Sequence, residues 1–506
     1  NYSLNTAQED TNRLNIQRYK GYSIIDRENR FRPFLLESTM QFQPGEYYNR
    51  SEHNQTLNRL ISLNTFKFVK NRFETIPDTA LLDVFYYLTP MPSKSLRAEI
   101  VTINRSNNLN GSQINLTWRH RNFFRGAEQV TFTAYVGSDV QFSGSFSGYN
   151  TFRTGAELGF GIPHILIPFR TLKVKGGFTP RTTIRGGYDI LKRQELFTLN
   201  SYRLEYGYTY KRSLQKTTEV NPVSINYVQA VNVTDKFRQL IHQDTILAKT
   251  IQSQFILGSN FQYNYNEVLN GLQKLNNYYF NGIVDVSGNI AGLFTGANFK
   301  KGKEQELFGA PFAQYIKTEF DGRYYRKLGL GSSWANRLIV GIGIPYGNSV
   351  ELPYIKQFFV GGNNSLRGFR SRGVGPGTYF PVNLAVLPDQ TGDIKLEMNT
   401  EYRPKISGPF YGAVFVDAGN IWLFNDSMYT KRPGGKFTGE FLKQLAVDAG
   451  VGLRLDITIF VIRFDIGFPL RIPWEQDPWV VDRIQLNDPG WRRSNIVYNL
   501  AIGYPF

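Results

Sequence analysis

Residues 444–456 read QLAVDAGVGLRLD. Leu445, Val447, Ala449, Val451, Leu453 and Leu455 share one parity, while Gln444, Asp448, Arg454 and Asp456 fall on the other. A period of two marks a strand, because successive side chains point to opposite faces. The pattern recurs along the chain. In 395–403, Leu396, Met398, Thr400 and Tyr402 alternate with Lys395, Glu397, Asn399, Glu401 and Arg403. In 129–140, Val130, Phe132, Ala134, Val136 and Val140 oppose Gln129, Thr131, Thr133, Tyr135 and Asp139. The last run puts Ile496, Tyr498, Leu500, Ile502, Tyr504 and Phe506 on one face. A soluble sandwich also alternates, so periodicity alone leaves two architectures open. The number of such segments between about 95 and 506, and their aromatic ends, favour a closed barrel in lipid. The reading is an all-β transmembrane barrel of about sixteen antiparallel strands, an even number as single-chain bacterial barrels have.

Composition agrees. No window supplies the roughly 18 consecutive apolar residues of a membrane-crossing helix, which excludes a helical membrane protein. The 506 residues include no cysteine, which excludes disulfides, thiolate metal sites and cysteine nucleophiles. The formal charge of +17 is spread along the chain rather than clustered, which argues for solvated loops and a basic lumen and against nucleic acid as a partner. The chain opens at Asn1 with no leader visible, so it is read as a mature or truncated form.

Residues 33–93 differ from the rest. A helix is expected at 34–41, Pro44-Gly45-Glu46 is a turn, and Leu57, Leu60, Ile61 and Leu63 stand at helical spacing in 51–64. Strand-like runs follow at 66–75 and 80–90, and Pro90 and Pro92 mark a boundary. The order helix, helix, strand, strand predicts a small α+β module before the barrel at 94–506. Residues 1–32 are read as the end of a preceding segment or as that module's first strand. Within the barrel, 234–251 carries Phe237, Leu240, Ile241 and Leu247 at helical spacing and falls in an external loop if odd strands run outward. Residues 292–312 are a Gly- and Lys-rich loop. The longest connection, 346–391, exceeds ordinary loop lengths and is expected to be functional or disordered.

That connection contains Phe358-Phe359-Val360-Gly361-Gly362-Asn363-Asn364-Ser365-Leu366-Arg367-Gly368-Phe369. Three further segments follow in order. They are Phe415-Val416-Asp417-Ala418-Gly419-Asn420-Ile421-Trp422, then Ala449-Gly450-Val451-Gly452-Leu453-Arg454 with Phe464-Asp465-Ile466-Gly467 and Pro469-Leu470, and then the terminal strand ending at Phe506. This set resembles the BamA/TamA superfamily, also called the bacterial surface antigen family. Its members carry an RGF signature in the sixth external loop, which folds into the lumen, and an FxDxG strand motif. The module resembles a POTRA domain at Phe42-Gln43-Pro44-Gly45-Glu46-Tyr47-Tyr48. The resemblance covers roughly 33–506. It implies a bacterial outer-membrane location with the POTRA-type domain in the periplasm. It also implies that Tyr498, Leu500, Ile502, Tyr504 and Phe506 form the terminal assembly signal.

The loop motif has a physical sense of its own. A guanidinium entering a narrowed lumen needs carboxylates, ideally bidentate. Parity puts Glu401 and Asp417 on the polar side of their strands; alternatively Arg367 is a solvated loop charge and the acids are ordinary lumen residues. The resemblance implies that Glu401 and Asp417 hold Arg367, in the loop formed by Gly361, Gly362, Leu366, Arg367, Gly368 and Phe369. Enzymatic constellations are missing. His53, His120, His164 and His242 lack metal-ligand spacing, 144–148 reads GSFSG rather than a nucleophile elbow, and Gly373-Val374-Gly375-Pro376-Gly377 lacks a phosphate-binding context. No cofactor, metal or enzymatic activity is expected.

The resemblance implies a factor for assembly, insertion or translocation of outer-membrane proteins, with the TamA-like branch favoured over a BamA core insertase. Its partners would be outer-membrane lipid, unfolded outer-membrane clients, and a periplasmic bridge protein or assembly lipoproteins. It would act at a lateral seam between a first strand near 95–106, whose alternation is muddled, and the closing strand 494–506. A two-partner secretion pore is the nearest rival and would normally carry a plug helix and two POTRA domains. A passive porin has no reason for the module or the loop signature.

Overall fold

The computed structural model describes residues 16–506 apart from 105–108, 142–149, 168–169, 173, 244–247, 249–250, 270, 273, 330, 381–389, 426–431 and 458–459. Leu247, the 144–148 segment and residues 1–15 therefore lie outside the described residues. Seventeen antiparallel strand segments close into one barrel. Two of them, Ile394–Arg403 and Lys405–Ser407, are one strand interrupted at Pro404, since both pair with Phe410–Trp422. Proline has no N–H to give the ladder. The barrel thus has sixteen staves among the described residues. They are β1 (Lys94–Asn104), β2 (Leu109–His120), β3 (Gln129–Gln141), β4 (Thr151–Ile162), β5 (Arg181–Arg193), β6 (Phe197–Lys211), β7 (Lys216–Val233) and β8 (Gln254–Asn266). The second half is β9 (Asn276–Ser287), β10 (Tyr315–Lys327), β11 (Ser333–Pro345), β12 (Ile394–Arg403 with Lys405–Ser407), β13 (Phe410–Trp422), β14 (Ala446–Asp456), β15 (Val461–Arg471) and β16 (Val497–Ile502).

Parity separates two environments. Ile114, Phe132, Val136, Leu158, Leu204, Phe320, Leu338, Val414, Val451 and Leu500 all face outward and exposed. A soluble surface rarely carries an apolar belt of this extent. The inward positions of β12 to β15 hold Glu397, Asn399, Glu401, Asp417, Asp448, Arg454, Arg463 and Asp465, all buried. Within β8, Ile256 joins the lumen core with Tyr315, Leu352, Phe358, Val360, Leu366 and Phe369, while its neighbour Phe255 joins a separate cluster with Ala291, Ala310 and Phe312.

In β1 the alternation is clean over 95–100, with Leu96 and Ile100 exposed outward, and is lost from 101, where Val101 and Ile103 take the parity of Ser95 and Glu99. Two expectations need correction at the chain's other end. The closing strand spans Val497–Ile502 rather than 494–506. Asp488 caps a helix over Pro489–Asn495, and Gly503 takes φ +90°, so the ladder is bounded on both sides. Phe506 consequently leaves the outer face. It is buried with Tyr325 and Ala335 inside the barrel end, while Tyr498, Leu500 and Ile502 keep their lipid-facing positions.

The N-terminal region holds a hairpin (Ile16–Tyr19 and Tyr22–Ile25), helices Pro33–Thr39 and Arg50–Ser62, and a second hairpin of Phe66–Thr75 with Leu82–Pro90. The predicted helix, helix, strand, strand order stands within a few residues. Leu35 and Leu60 from the two helices, Leu63 just past the second, and Phe66, Val69, Tyr86 and Leu88 from the sheet share one cluster, into which Ala127 of the β2–β3 turn also packs. The unit therefore packs against turns at one end of the barrel. Arg59 is buried and donates from Nε to Gly176 O at 2.5 Å and from Nη2 to Val174 O, both in the β4–β5 connection. Ser62 Oγ donates to Thr179 Oγ1 at 3.0 Å, and Arg181 Nη2 to Ser62 O at 2.8 Å.

Arg59→Ala leaves two half-buried carbonyls without their donors, each at a cost of about 1 kcal/mol. Amide exchange should accelerate at 59–63 and 174–181 while the barrel strands keep their protection. His53 supplies a pH test. It is buried against Tyr86, with Nδ1 and the Tyr86 hydroxyl 2.7 Å apart, and burial holds its pKa below the ordinary value. The folded unit then binds fewer protons than the unfolded chain, so its stability is complete above about pH 6.5 and falls as pH drops below that value. His53→Gln should flatten this loss, as read from amide exchange over 50–90.

Candidate functional site

The β11–β12 connection turns back into the barrel. Gly361 and Gly362 both take positive φ, +97° and +95°, and a side chain on Gly361 would stand 2.2 Å from Arg370 O. The Gly362 N–H donates to Phe369 O at 2.9 Å and Leu366 O at 3.2 Å, closing a tight loop whose tip is Leu366-Arg367-Gly368-Phe369. Leu366 and Phe369 are buried in the lumen core.

Arg367 is fully buried. Its Nε donates to Asp417 Oδ2 at 2.8 Å and its Nη2 to Asp417 Oδ1 at 2.9 Å, a bidentate pair. Its Nη1 donates to Glu401 Oε2, and its backbone N–H to Asp417 Oδ2 at 3.2 Å. The guanidinium lies 3.5 Å from the centroid of the Phe415 ring. The expected pairing of Arg367 with Glu401 and Asp417 is therefore present, with both acids supplied by adjacent strands β12 and β13. Removing water from a guanidinium is expensive, and only partners of this geometry offset it.

Around this contact sits a network that the sequence reading left unassigned. Asn399 Nδ2 donates to Asp417 Oδ1 and to Ser365 O, both at 3.0 Å. Ser365 Oγ donates to Glu397 Oε2 at 2.6 Å. Glu401 is shared with Arg403 at 2.7 Å and Arg454 at 3.3 Å, and Arg454 reaches Asp465 at 2.5 Å. Asn499 of β16 donates to Arg367 O at 2.9 Å. Glycines let the tip approach the wall. A side chain on Gly467 would stand 2.9 Å from the Arg367 carbonyl carbon, and one on Gly368 2.5 Å from Asp448 Cβ. Gly419 faces Leu366, whose Cδ1 would lie 3.1 Å from an added Cβ. The strand motifs containing Asp417 and Gly419, and Asp465 and Gly467, are thus the loop's receptor. Their quoted order was the signal; the register that aligns them was not.

The terminal residues divide. Tyr498, Leu500 and Ile502 stand on the outer wall, away from this cluster. Phe506 turns to it, its carbonyl accepting from Arg403 Nη2 at 3.1 Å, while Arg403 also lies 4.4 Å from the Tyr504 ring. Among the described residues no group of three or more acidic, histidine or cysteine side chains is disposed to hold a metal.

Arg367→Ala would take from Asp417 the arginine that pairs it, while Glu401 keeps Arg403 and Arg454, a loss of about 3–5 kcal/mol for one partner of a buried pair. The expected result is fewer assembled barrels and a protease-sensitive 346–391 connection, with strand content unchanged in those that fold. Arg367→Lys should fall between, because an ammonium cannot repeat the planar bidentate contact. Limited proteolysis and circular dichroism on detergent-solubilised protein read both effects.

Comparison with known proteins agrees with this architecture. Residues 97–487 match the Omp85 superfamily domain. The fold resembles BamA from Haemophilus ducreyi lacking POTRA domains 1–3, with a TM-score of 0.59 at 14% identity over 94% of this chain and 83% of that one. It also resembles CdiB from Acinetobacter baumannii, with a TM-score of 0.51 at 12% identity over 93% of this chain and 71% of that one. At such identities the likeness speaks to fold alone, whereas the domain match spans most of the sequence. The sixteen-stave barrel, its arginine-sealed loop and that match lead to one statement: the chain belongs to the Omp85 superfamily.

Proposed function

We propose that this chain assembles, inserts or translocates other polypeptides at the bacterial outer membrane, without enzymatic chemistry, in the manner of the TamA-like branch. Residues 33–93 are the POTRA-type periplasmic domain, and the exit is the lateral seam between β1 and β16. The observation that carries this reading is the mismatch of the two edges. β16 has six residues and β1 has eleven, so at least part of β1 has no stave opposite it. The interior pair β12 and β13 is matched over nine positions from Ile394 to Tyr402. An under-matched edge keeps free backbone donors and acceptors and can template an incoming strand. The clients are unfolded outer-membrane proteins. A periplasmic bridge protein fits the TamA-like role, and assembly lipoproteins fit a BamA core insertase. The choice between these branches rests on the residues of 355–363.

A secretion pore for one exported polypeptide is the second reading, favoured by the fold likeness to CdiB. It differs in route, since cargo would pass through the lumen past Arg367. The chain has no cysteine, so introduced pairs have no competitors. A panel of single cysteines at 96–100 combined with single cysteines at 498–502 should yield at least one pair that crosslinks fully. The locked protein should stay folded and lose client insertion in proteoliposomes, and reduction should restore it. Full activity in the quantitatively locked state refutes lateral exit and leaves the lumen as the route.

A further inference from the structure

The β9–β10 connection does something the sequence reading of 292–312 as a loop did not anticipate. It folds outward over the wall. A short helix, Asn289–Thr295, and a small hairpin, Glu306–Leu307 with Ala310–Pro311, cover Phe255 of β8. Ala291, Ala310 and Phe312 are buried with Phe255, and Ile225, Tyr227 and Leu257 pack beside them. Tyr227 and Phe255 are register partners, as are Leu257 and Ile225, so these side chains share the outward face of β7 and β8. Tyr227 Oη donates to Phe308 O at 3.2 Å and fixes the hairpin to the wall.

Having covered one apolar patch, the flap presents another. Ile290, Leu293 and Phe294 on the helix are 66%, 86% and 88% exposed, and Phe308 at the hairpin tip is 79% exposed. Phe308 and Gly309 take φ +56° and +74°, the left-handed pair of a two-residue hairpin turn between Leu307 and Ala310, so the ring is carried at the very tip.

The flap's height on the barrel is marked by an aromatic row. Tyr188, Tyr202, Tyr227 and Phe255 are successive register partners across β5 to β8. Their rings follow at 4.9, 6.2 and 6.2 Å, and Phe308 continues the row 5.3 Å from Phe255. Because barrel strands tilt, the row climbs from mid-strand at Tyr188 to Phe255, the second residue of β8, and aromatic side chains at strand ends stand at headgroup level in membrane barrels. The exposed residues are therefore continuous with the lipid-facing belt. Immediately beyond the helix, Lys301, Lys303, Glu304 and Glu306 are exposed, and Lys300 reaches Asn425. That mixed-charge stretch limits depth rather than drawing the flap to one sign of headgroup.

We propose that the β9–β10 flap is an interfacial anchor, with Leu293, Phe294 and Phe308 buried among the lipids at the headgroup–acyl boundary of the outward leaflet. Apolar burial drives such seating, and flanking charges stay in water. The patch then pins the wall of β7 to β10 in the membrane, on the part of the barrel away from the β1–β16 seam.

The test uses nitroxide labels on the full chain in vesicles of phosphatidylethanolamine and phosphatidylglycerol, since no native cysteine interferes. Phe294→Cys and Phe308→Cys carry the labels. Leu338→Cys, on the outward face of β11, reports lipid, and Glu440→Cys reports water. Collision with oxygen relative to a water-soluble nickel chelate should place positions 294 and 308 between the ratios at 338 and 440, well above that at 440. A water-like ratio at either position overturns the proposal. So does spin–spin broadening that disappears on dilution with unlabelled protein, because a second copy would then cover the patch. If position 338 itself reports water, the lipid-facing wall is wrong and the anchor falls with it.

Discussion

A guanidinium stripped of water must be met by carboxylates, and this barrel is organised around that requirement. Arg367 reaches the lumen on a connection that would otherwise stand outside. It stays there because Asp417 and Glu401 project inward from neighbouring strands, two residues apart in register. The bidentate contact fixes the depth and rotation of the loop tip. With the tip seated, Leu366 and Phe369 complete an apolar core inside a polar tube. The lumen of the second half of the barrel is thus a packed interior, with Arg454, Asp465 and Arg403 extending the ion network around Glu401. A buried network of this kind rewards one arrangement, because a half-satisfied version costs more than an apolar one.

The alternation that makes the wall is also what let the sequence speak. Asp417 and Glu401 could be assigned inward because a strand's parity is unambiguous once its apolar residues are recognised, and the ordered motifs tied them to Arg367. Asn399, Arg454, Asp465 and Asn499 share that inward parity, yet nothing in the letters tells which of them sit at the same level. Level is set by register, and a one-residue slip inverts a strand's faces. Phe506 shows the opposite failure. Its parity was right in the letters, but Gly503 ends the strand before the pattern does. The domain order near 33–93 was legible because turns and helical spacing are local. The docking of that unit was not, since Arg59 finds its carbonyls more than a hundred residues away.

The β9–β10 connection shows how composition can mislead. Its glycines and lysines suggest a solvated loop, whereas Ile290, Leu293 and Phe294 carry helical spacing over a single short helix. Seven residues are too few for periodicity to stand out from its surroundings. Only the position of that helix above an aromatic row separates a solvated turn from an apolar surface.

One bond gives the closing strand a second attachment. Asn499 reaches past its own hydrogen-bonded neighbours to the Arg367 carbonyl, so β16 is fastened to the loop as well as to β15. The same connection continues back through Tyr354–Lys356, where Lys356 is held by Asp285 of β9. A pull on the seated loop would therefore reach the last strand directly, through the interior, without crossing the sheet.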